Sequence, residues 1–298
     1  MKQPEISVIT VNYNGIEETS RMIESVAANW LQSYEIIVVD NGSVNDEALM
    51  LKEKYPFIQA LRSSDNLGFA GGNNLGYRHS SGNFILFLNN DTLVRDDSLR
   101  FLTETLKQHP RIGGVSPKIL YNDEQDHIQF AGYTELSSIT IRNSTIGHGE
   151  NDLNQYDSTT STAYLHGAAM MVRREVVEQV GLMPECYFLY YEEMDWSAQM
   201  KKAGYELMYE PRAVVYHNES SSTGKDSPLK IYYMTRNRML YAWRNRTGLI
   251  RVLSIAYLSL VVNSKHLLVY AFGLKFTLAK VSVKGCTDFF RMLMVKKS

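Results

Sequence analysis

The sequence predicts an α/β fold built on a mainly parallel sheet, followed by a helical C-terminal extension. Three observations predict it. Four β-rich apolar runs alternate with helical intervals in residues 1–110, polar residues gather at the ends of those runs, and the charge balance changes after residue 240. A chain of 298 residues is long enough to bury a large core in one catalytic domain with a smaller appendage.

The runs Ile6–Val11, Glu35–Val39, Phe57–Leu61 and Phe84–Leu88 are rich in β-branched and aromatic side chains and read as strands. Residues 17–30, 45–54, 70–80 and 97–108 carry helical spacing between and after them. Strand–helix repetition requires crossovers, and crossovers produce parallel pairing. In such a sheet ligands collect beyond the C-terminal strand ends, where Asn12–Gly15, Asp40–Ser43, Ser64–Gly68 and Asn89–Asp91 fall. Residues 111–165 change texture: short β-like pieces at Val115–Leu120, His127–Phe130 and Ser138–Ile141 suggest an irregular insertion forming an acceptor wall. His166–Gly181 reads as a small-residue strand and a short helix ending at Gly181. A helix over Glu192–Ala203 is closed by Gly204, and a strand over Tyr205–Val215 leads to His217 and a mobile loop, Asn218–Gly224. From Lys230 onward the chain reads as helical. Lys280, Lys284 and Arg291 share a face if one helix continues that far, with Gly285 as a candidate break.

A formal net charge of −1 argues against a general nucleic-acid partner, which calls for a broad basic surface. Ten of the 31 Lys and Arg, but only Asp288 among the acidic residues, lie in residues 241–298. An amphipathic helix lying on an anionic membrane surface fits this pattern. The alternatives are a helical pair covering the catalytic domain, or a tail that pairs two chains into a homodimer. Arg251, Lys265 and Lys275 divide the most apolar region, so a simple membrane span is not expected. The widely spaced Cys186 and Cys286 suggest neither a metal site nor a disulfide scaffold, consistent with a reducing compartment. A strand beginning after five residues leaves no room for a signal peptide, so the expected location is cytoplasmic.

Several residues are candidates for binding and catalysis. Asp40 ends a Val-rich strand and can accept hydrogen bonds from a ribose or base edge, although such acidic strand ends also occur without nucleotides. Ser63–Gly76 lacks the spacing of a dinucleotide or triphosphate loop. Its glycines either admit a ligand to a helix start or simply shape a tight turn and helix. Asp91, with Asn89 two residues earlier, offers oxygen ligands for Mg²⁺ or Mn²⁺, or else an N-cap for the next helix. His217 can add a nitrogen ligand or serve structurally. Glu192, Glu193 and Asp195 stand at a helix start behind the aromatic run Tyr187–Tyr191. There they either cap the helix or include a carboxylate with a raised pKa that acts as base. Glu193 is the preferred base and Glu192 the alternative, with Asp195 orienting the acceptor or the helix terminus.

In their order and spacing, VITVNYNG, IIVVDNGSVND, DNLGFAGGNN, FLNND, GAAMMVRRE, FLYYEEMDW and YYMTRNR resemble the family 2 glycosyltransferases, especially bacterial rhamnosyltransferase-like members, over residues 5–240. The resemblance implies a GT-A fold, with a mainly parallel mixed sheet and helices on both faces. It divides the chain into a catalytic domain, 1–240, and a basic amphipathic extension, 241–298. The nucleotide-sugar half would cover about 1–110 and the acceptor half about 111–240. The resemblance also implies a nucleotide-diphosphate sugar donor, a divalent cation and inversion at the anomeric carbon.

Position by position, Val11, Tyr13 and Asp40 match nucleoside-binding strand ends, and the Asn66–Asn73 stretch with Gly71 matches the loop beside them. Asn90 and Asp91 match the end of the metal and diphosphate motif, with Asn89 where many relatives carry Asp. Glu193 matches the second acidic position of E-D-x-D, a longer carboxylate than the commoner Asp. His217 matches a late histidine near metal or diphosphate, and Arg236 and Arg238 match a basic segment that holds donor phosphate or acceptor. Similar enzymes extend polyprenyl-diphosphate-linked saccharides for capsule or O-antigen at the cytoplasmic face of the inner membrane, using dTDP-rhamnose or a UDP-sugar. The alternative functions are a sugar-phosphate nucleotidyltransferase and a non-catalytic carbohydrate-binding or scaffold protein at the membrane surface.

Overall fold

The structure, a computed structural model, describes residues 3–30, 32–122, 127–218 and 227–295. The expected mobile loop at Asn218–Gly224 lies outside the described residues except for Asn218. Strands β1 (Ile6–Asn12), β2 (Tyr34–Asn41), β3 (Gln59–Ser63) and β4 (Phe84–Leu88) run parallel in the order β3–β2–β1–β4. The sheet continues through β9 (Ala169–Arg173), β6 (Ile112–Tyr121), β10 (Glu206–His217) and β5 (Thr92–Leu93), with β7 (Ile128–Phe130) and β8 (Thr160–Ser161) at its margin. Because β9 is antiparallel to both β4 and β6, β6 and its parallel neighbour β10 point the same way as β4. The expected mixed, mainly parallel sheet is therefore present.

Alternation along the strands supplies both sheet faces. Val8, Val38 and Leu86 face α1 (Ile16–Asn29), α2 (Glu47–Lys54) and α4 (Arg100–Gln108). Ile9, Ile37 and Phe87 face α3 (Gly68–Arg78), α5 (Arg174–Val180) and α6 (Glu192–Lys202). A Cβ at Gly76 would stand 2.4 Å from Ile9, so a bare backbone at this position allows α3 to lie directly on β1.

Two expected strands differ. The third begins at Gln59, because Phe57 is an exposed turn residue while Ile58 enters the core. Ser138–Ile141 forms a turn, with Ile141 in the left-handed region at φ 47°.

The C-terminal layer consists of α7 (Pro228–Asn245), α8 (Gly248–Ala256), a π-helical turn (Tyr257–Val262), α9 (Asn263–Phe272) and α10 (Phe276–Val295). The expected domain boundary at 240 falls inside α7. Gly285 does not interrupt α10. Its missing side chain admits the backbone of α7, since a Cβ there would lie 2.7 Å from the Tyr232 carbonyl oxygen. The region that Arg251 and Lys265 were expected to divide is one continuous 25-residue helix, Gly248–Phe272, with a mean hydropathy of 1.5 over its most apolar window. It is long and apolar enough to cross a membrane by length and composition alone. Only 17% of that window is buried in the structure, and Ser254 and Asn263 tie the helix to Ile139 and Ser282.

Candidate active site

The ends of β1, β2 and β4 lie side by side, with Asn12 in register with Asp40. Asp40 is fully buried. Its Oδ1 accepts from the Ser43 N–H at 3.1 Å, and its Oδ2 makes no hydrogen bond, with Arg62 Nε 3.9 Å away. A buried carboxylate oxygen of this kind needs a donor, and the N–H of a nucleobase or the hydroxyl of a ribose is such a donor. Tyr13, about half exposed, stands at the neighbouring strand end.

The loop residues serve the frame as well. Asn66 Oδ1 accepts from Asn41 and from the Gly68 N–H, while Asn73 donates to the Phe69 carbonyl. A Cβ at Gly72 would meet both methyls of Val11 at 2.9 Å, and one at Gly71 would meet Leu67 at 2.7 Å. These glycines mainly permit close packing of the helix. Asn90 donates to the Thr19 hydroxyl, which donates in turn to Asn12.

Asp91 and His217, far apart in sequence, meet because β5 pairs with the end of β10: Thr92 is in register with His217, and the Asn218 N–H donates to the Asp91 carbonyl. Asp91 Oδ1 lies 3.1 Å from His217 Nε2. The Gln129 side-chain oxygen, 2.7 Å from His217 Nδ1, accepts a hydrogen bond from that nitrogen. In the neutral ring Nε2 therefore presents a lone pair to a buried Asp91 oxygen that makes no hydrogen bond. Two facing acceptors fit a shared proton or a cation. Among the described residues no group of three or more His, Cys, Asp or Glu forms a metal cage. A carboxylate and an imidazole nevertheless suit a Mg²⁺ or Mn²⁺ ion whose remaining positions are filled by diphosphate and water. Asn89 joins this corner through its backbone, its N–H donating to the Ala168 carbonyl at 2.9 Å.

The turn containing His166, Gly167 and Ala168 links that corner to the acidic helix start. A Cβ on Gly167 would lie 4.0 Å from the Glu193 carboxyl carbon. His166 Nδ1 accepts from the Ala168 N–H, and burial, with the nearby His217 and His148, lowers its pKa to about 3. It is thus a neutral imidazole at neutral pH. His166 was not selected from the sequence, although it opens the stretch His166–Gly181.

Glu193 is half-buried. Burial raises its pKa to about 7, against the opposing pull of the N–H groups of Glu193 and Met194 at the helix start. Glu192 is 3% exposed. Burial and then the Glu193 charge push its carboxyl well above the ordinary range, so it keeps its proton when Glu193 has lost its own. Asp195 is turned the other way. It accepts from Tyr187, Gln199, Arg244 and Asn245, and so ties α6 to the end of α7.

The approach to these carboxylates is strained. Phe188, Tyr190 and Tyr191 have φ of 67°, 69° and 78°, in the left-handed region that large side chains rarely adopt. Asn237, fully buried on α7, holds the run in place: its amide nitrogen lies 2.9, 2.7 and 2.9 Å from the carbonyl oxygens of Tyr187, Leu189 and Tyr190. Arg236 donates to the Cys186 and Tyr187 carbonyls, and Arg238 to Thr140. The two arginines are thus engaged with backbone carbonyls, and the residue between them, which sequence reasoning missed, is the clamp.

The mixed sheet, with helices on both faces and a helical C-terminal extension, is that of the GT-A glycosyltransferases. The chain matches glycosyl transferase family 2 over residues 7–181 and belongs to that family. It is 28% identical over 244 residues to the low-salt glycan biosynthesis hexosyltransferase Agl10 of Haloferax volcanii, covering 79% of this chain and 75% of that one. It is 25% identical over 242 residues to the N-acetylglucosaminyl-diphospho-decaprenol L-rhamnosyltransferase of Mycobacterium tuberculosis, covering 74% and 78%. Rhamnosyl transfer is therefore one of several activities named among its relatives. A mannosyltransferase of Pyrobaculum calidifontis, solved with GDP-Man and Mn²⁺, shares the fold with a TM-score of 0.59 at 15% identity, covering 100% of this chain and 80% of that one.

Replacing Asn237 with Ala removes the donor these carbonyls share, of which Tyr187 keeps Arg236, and each buried group left unmet costs about 1–3 kcal/mol. We expect Asn237→Ala to lower kcat by about a hundredfold through a displaced base. Nucleotide affinity, measured by calorimetry, should change less than about twofold, since Asp40 and Asp91 belong to other elements.

Proposed function

We propose that this chain is an inverting, divalent-cation-assisted glycosyltransferase that moves a sugar from a nucleoside diphosphate to a hydroxyl of a saccharide or polyprenyl-diphosphate-linked saccharide, in synthesis of a surface polysaccharide. The observation that carries this reading is Glu193, a carboxylate with a pKa near neutrality, linked through the His166–Ala168 turn to the Asp91–His217 pair. The names of the two relatives support a hexosyl donor and a lipid-linked acceptor. Thymidine-diphosphate rhamnose and UDP-sugars are the donors to test first.

In this account Asp40 and Tyr13 receive the nucleoside. Glu193 removes the proton from the acceptor hydroxyl as that oxygen attacks the anomeric carbon. The bond from that carbon to the diphosphate breaks on the opposite side, its electron pair stays with the phosphate oxygen, and configuration inverts. Glu192 remains protonated and adds no second charge beside the base. A cation held by Asp91 and His217 would offset the charge developing on the departing diphosphate.

The same proposal places the protein on the cytoplasmic face of a membrane. Phe272, Leu274 and Phe276 are 85%, 75% and 61% exposed around the α9–α10 turn, with Lys275 among them. Val252, Leu260 and Leu268 extend this apolar face along the helix. Arg251, Lys265 and Lys280 provide positive charge for anionic headgroups, and residues 241–287 contain no acid. Because the helix lies along α7 and α10, surface attachment is favoured over a span.

Three outcomes are expected. First, Glu193→Gln should lower kcat by about 10²–10⁴-fold, and wild-type kcat/KM should rise with pH through about 7. Since the folded pKa is raised, the wild type loses stability as pH climbs from 4.5 to about 7. Glu193→Gln should therefore melt at a higher temperature than wild type at pH 8 and at a similar one below pH 4.5; a lower melting point at pH 8 would mean that a partner stabilises the charged form. Second, Mn²⁺ should strengthen binding of UDP or thymidine diphosphate to wild type but not to Asp91→Asn, and a full metal response in the variant would remove Asp91 from the site. Third, the protein should float with anionic vesicles, and the triple change Phe272→Asp, Leu274→Asp, Phe276→Asp should leave it in the pellet fraction. Equal recovery would count against the apolar turn as anchor.

A further inference from the structure

The helical layer contains a cavity of about 270 Å³ between α7 and the α8–α9 helix, lined by residues including Lys230, Arg238, Leu258, Val262, His266 and Tyr270. Its charge is one-sided. Arg142 approaches from the 131–162 segment, close enough that both it and Arg238 act on His266, whose pKa is lowered first by burial and then by these cations. Arg238 is affected in the same way, by burial and then by Arg142. Among the described residues, Lys230, Arg142, Arg238 and Lys265 form no ion pair, and the Arg142 and Lys230 side chains make no hydrogen bond. Asp288, the acid of this region, is already engaged by Tyr232, Lys284 and Arg291. His266 Nδ1 is buried with no partner. Cations gathered with no unengaged acid among the described residues repel one another, and an anion among them relieves that repulsion.

The remaining wall is apolar. Leu258 and Val262 line the cavity, while Val261, Leu268 and Val269 of the same helix are exposed beside it. A free inorganic anion has no use for such a wall, whereas the first carbons of a lipid chain do. Tyr191 is a second neighbour of the two arginines. Burial raises its phenol to about 12; Arg238 and Arg142 pull it down, and Glu193 pushes it up. Tyr191 thus feels both the arginines and Glu193, and Glu193 lies two residues beyond it in the chain.

We propose that this cavity binds the phosphate or diphosphate head of a lipid-linked acceptor, with Lys230, Arg238 and His266 on the anion, Arg142 adding positive charge beside them, and Leu258 and Val262 on the start of the chain. The assignment rests on the glycosyltransferase reading and locates the acceptor side of the same site. The cavity lies on the membrane-facing layer, so a carrier lipid would reach it from the bilayer while its sugar projects toward the sheet.

The test is calorimetric, with EDTA present so that no cation draws diphosphate to Asp91. Farnesyl diphosphate, inorganic diphosphate and farnesol are titrated into wild type, Arg142→Ala, Lys230→Ala and Asp91→Asn. Each lost charge-assisted contact should weaken farnesyl diphosphate about tenfold or more, while Asp91→Asn should bind it like wild type. Inorganic diphosphate and farnesol should each bind at least about tenfold more weakly than farnesyl diphosphate. Inorganic diphosphate binding as tightly as the farnesyl ester would overturn the lipid assignment, and unchanged binding by both Arg142→Ala and Lys230→Ala would overturn the cavity. Arg142 is exposed and Lys230 side-chain contacts are absent among the described residues, so both variants should fold; UDP binding with Mn²⁺, measured on the same preparations, checks this. Wild type that binds no nucleotide would sink the transferase reading and with it the acceptor role, while the farnesyl titrations would still decide the anion site.

Discussion

The left-handed backbone of Phe188, Tyr190 and Tyr191 is the constraint on which the active site depends. Each such residue costs on the order of 1–3 kcal/mol relative to relaxed backbone, so the segment keeps this shape only where something outside it enforces the geometry. Asn237 and Arg236 do so through the Tyr187, Leu189, Tyr190 and Cys186 carbonyls, and the Phe69 N–H holds the Phe188 carbonyl from the side of α3. The result is a helix start aimed at the crevice, with Glu193 first to meet solvent and Glu192 beneath it.

This arrangement couples two parts of the chain that differ in character. The donor side is built on strand ends whose register is set by the sheet: Asn12 beside Asp40, and Thr92 beside His217. The acceptor side depends on helices. Tyr187 and Tyr191 belong to the same apolar cluster as Met239, Leu240, Leu258 and Phe289, so the catalytic approach and the C-terminal layer share one core. A disturbance of the C-terminal helices therefore reaches the start of α6 and Glu193 through packing. The same geometry makes α7 the support of the segment that precedes Glu193.

Much of this was legible in the sequence, for reasons that are local. The first, second and fourth strands read correctly because alternating buried residues such as Val8 and Ile9 need both sheet faces, and Gly181 and Gly204 close their helices with positive φ. Phe57 misled the third strand because an exposed aromatic in a turn has the same composition as a strand residue. Ile139–Ile141 misled for a different reason: its β-branched residues suit a strand, but the turn they form is held by distant arginines, Arg246 on the Leu136 and Ser138 carbonyls and Arg238 on Thr140. Asn237 was invisible for the same reason. A single amide between two arginines has no periodicity, and its value comes from three carbonyls some fifty residues away.

The most direct test of this account is amide hydrogen exchange across residues 187–194 in wild type and Asn237→Ala, with and without UDP and Mn²⁺. If α7 enforces the strained approach, these amides exchange as slowly as the body of α6 in wild type and much faster in the variant, while the Asp40 and Asp91 segments stay alike. Equal exchange in the two proteins, or fast exchange already in wild type, would contradict the claim that the clamp positions the base.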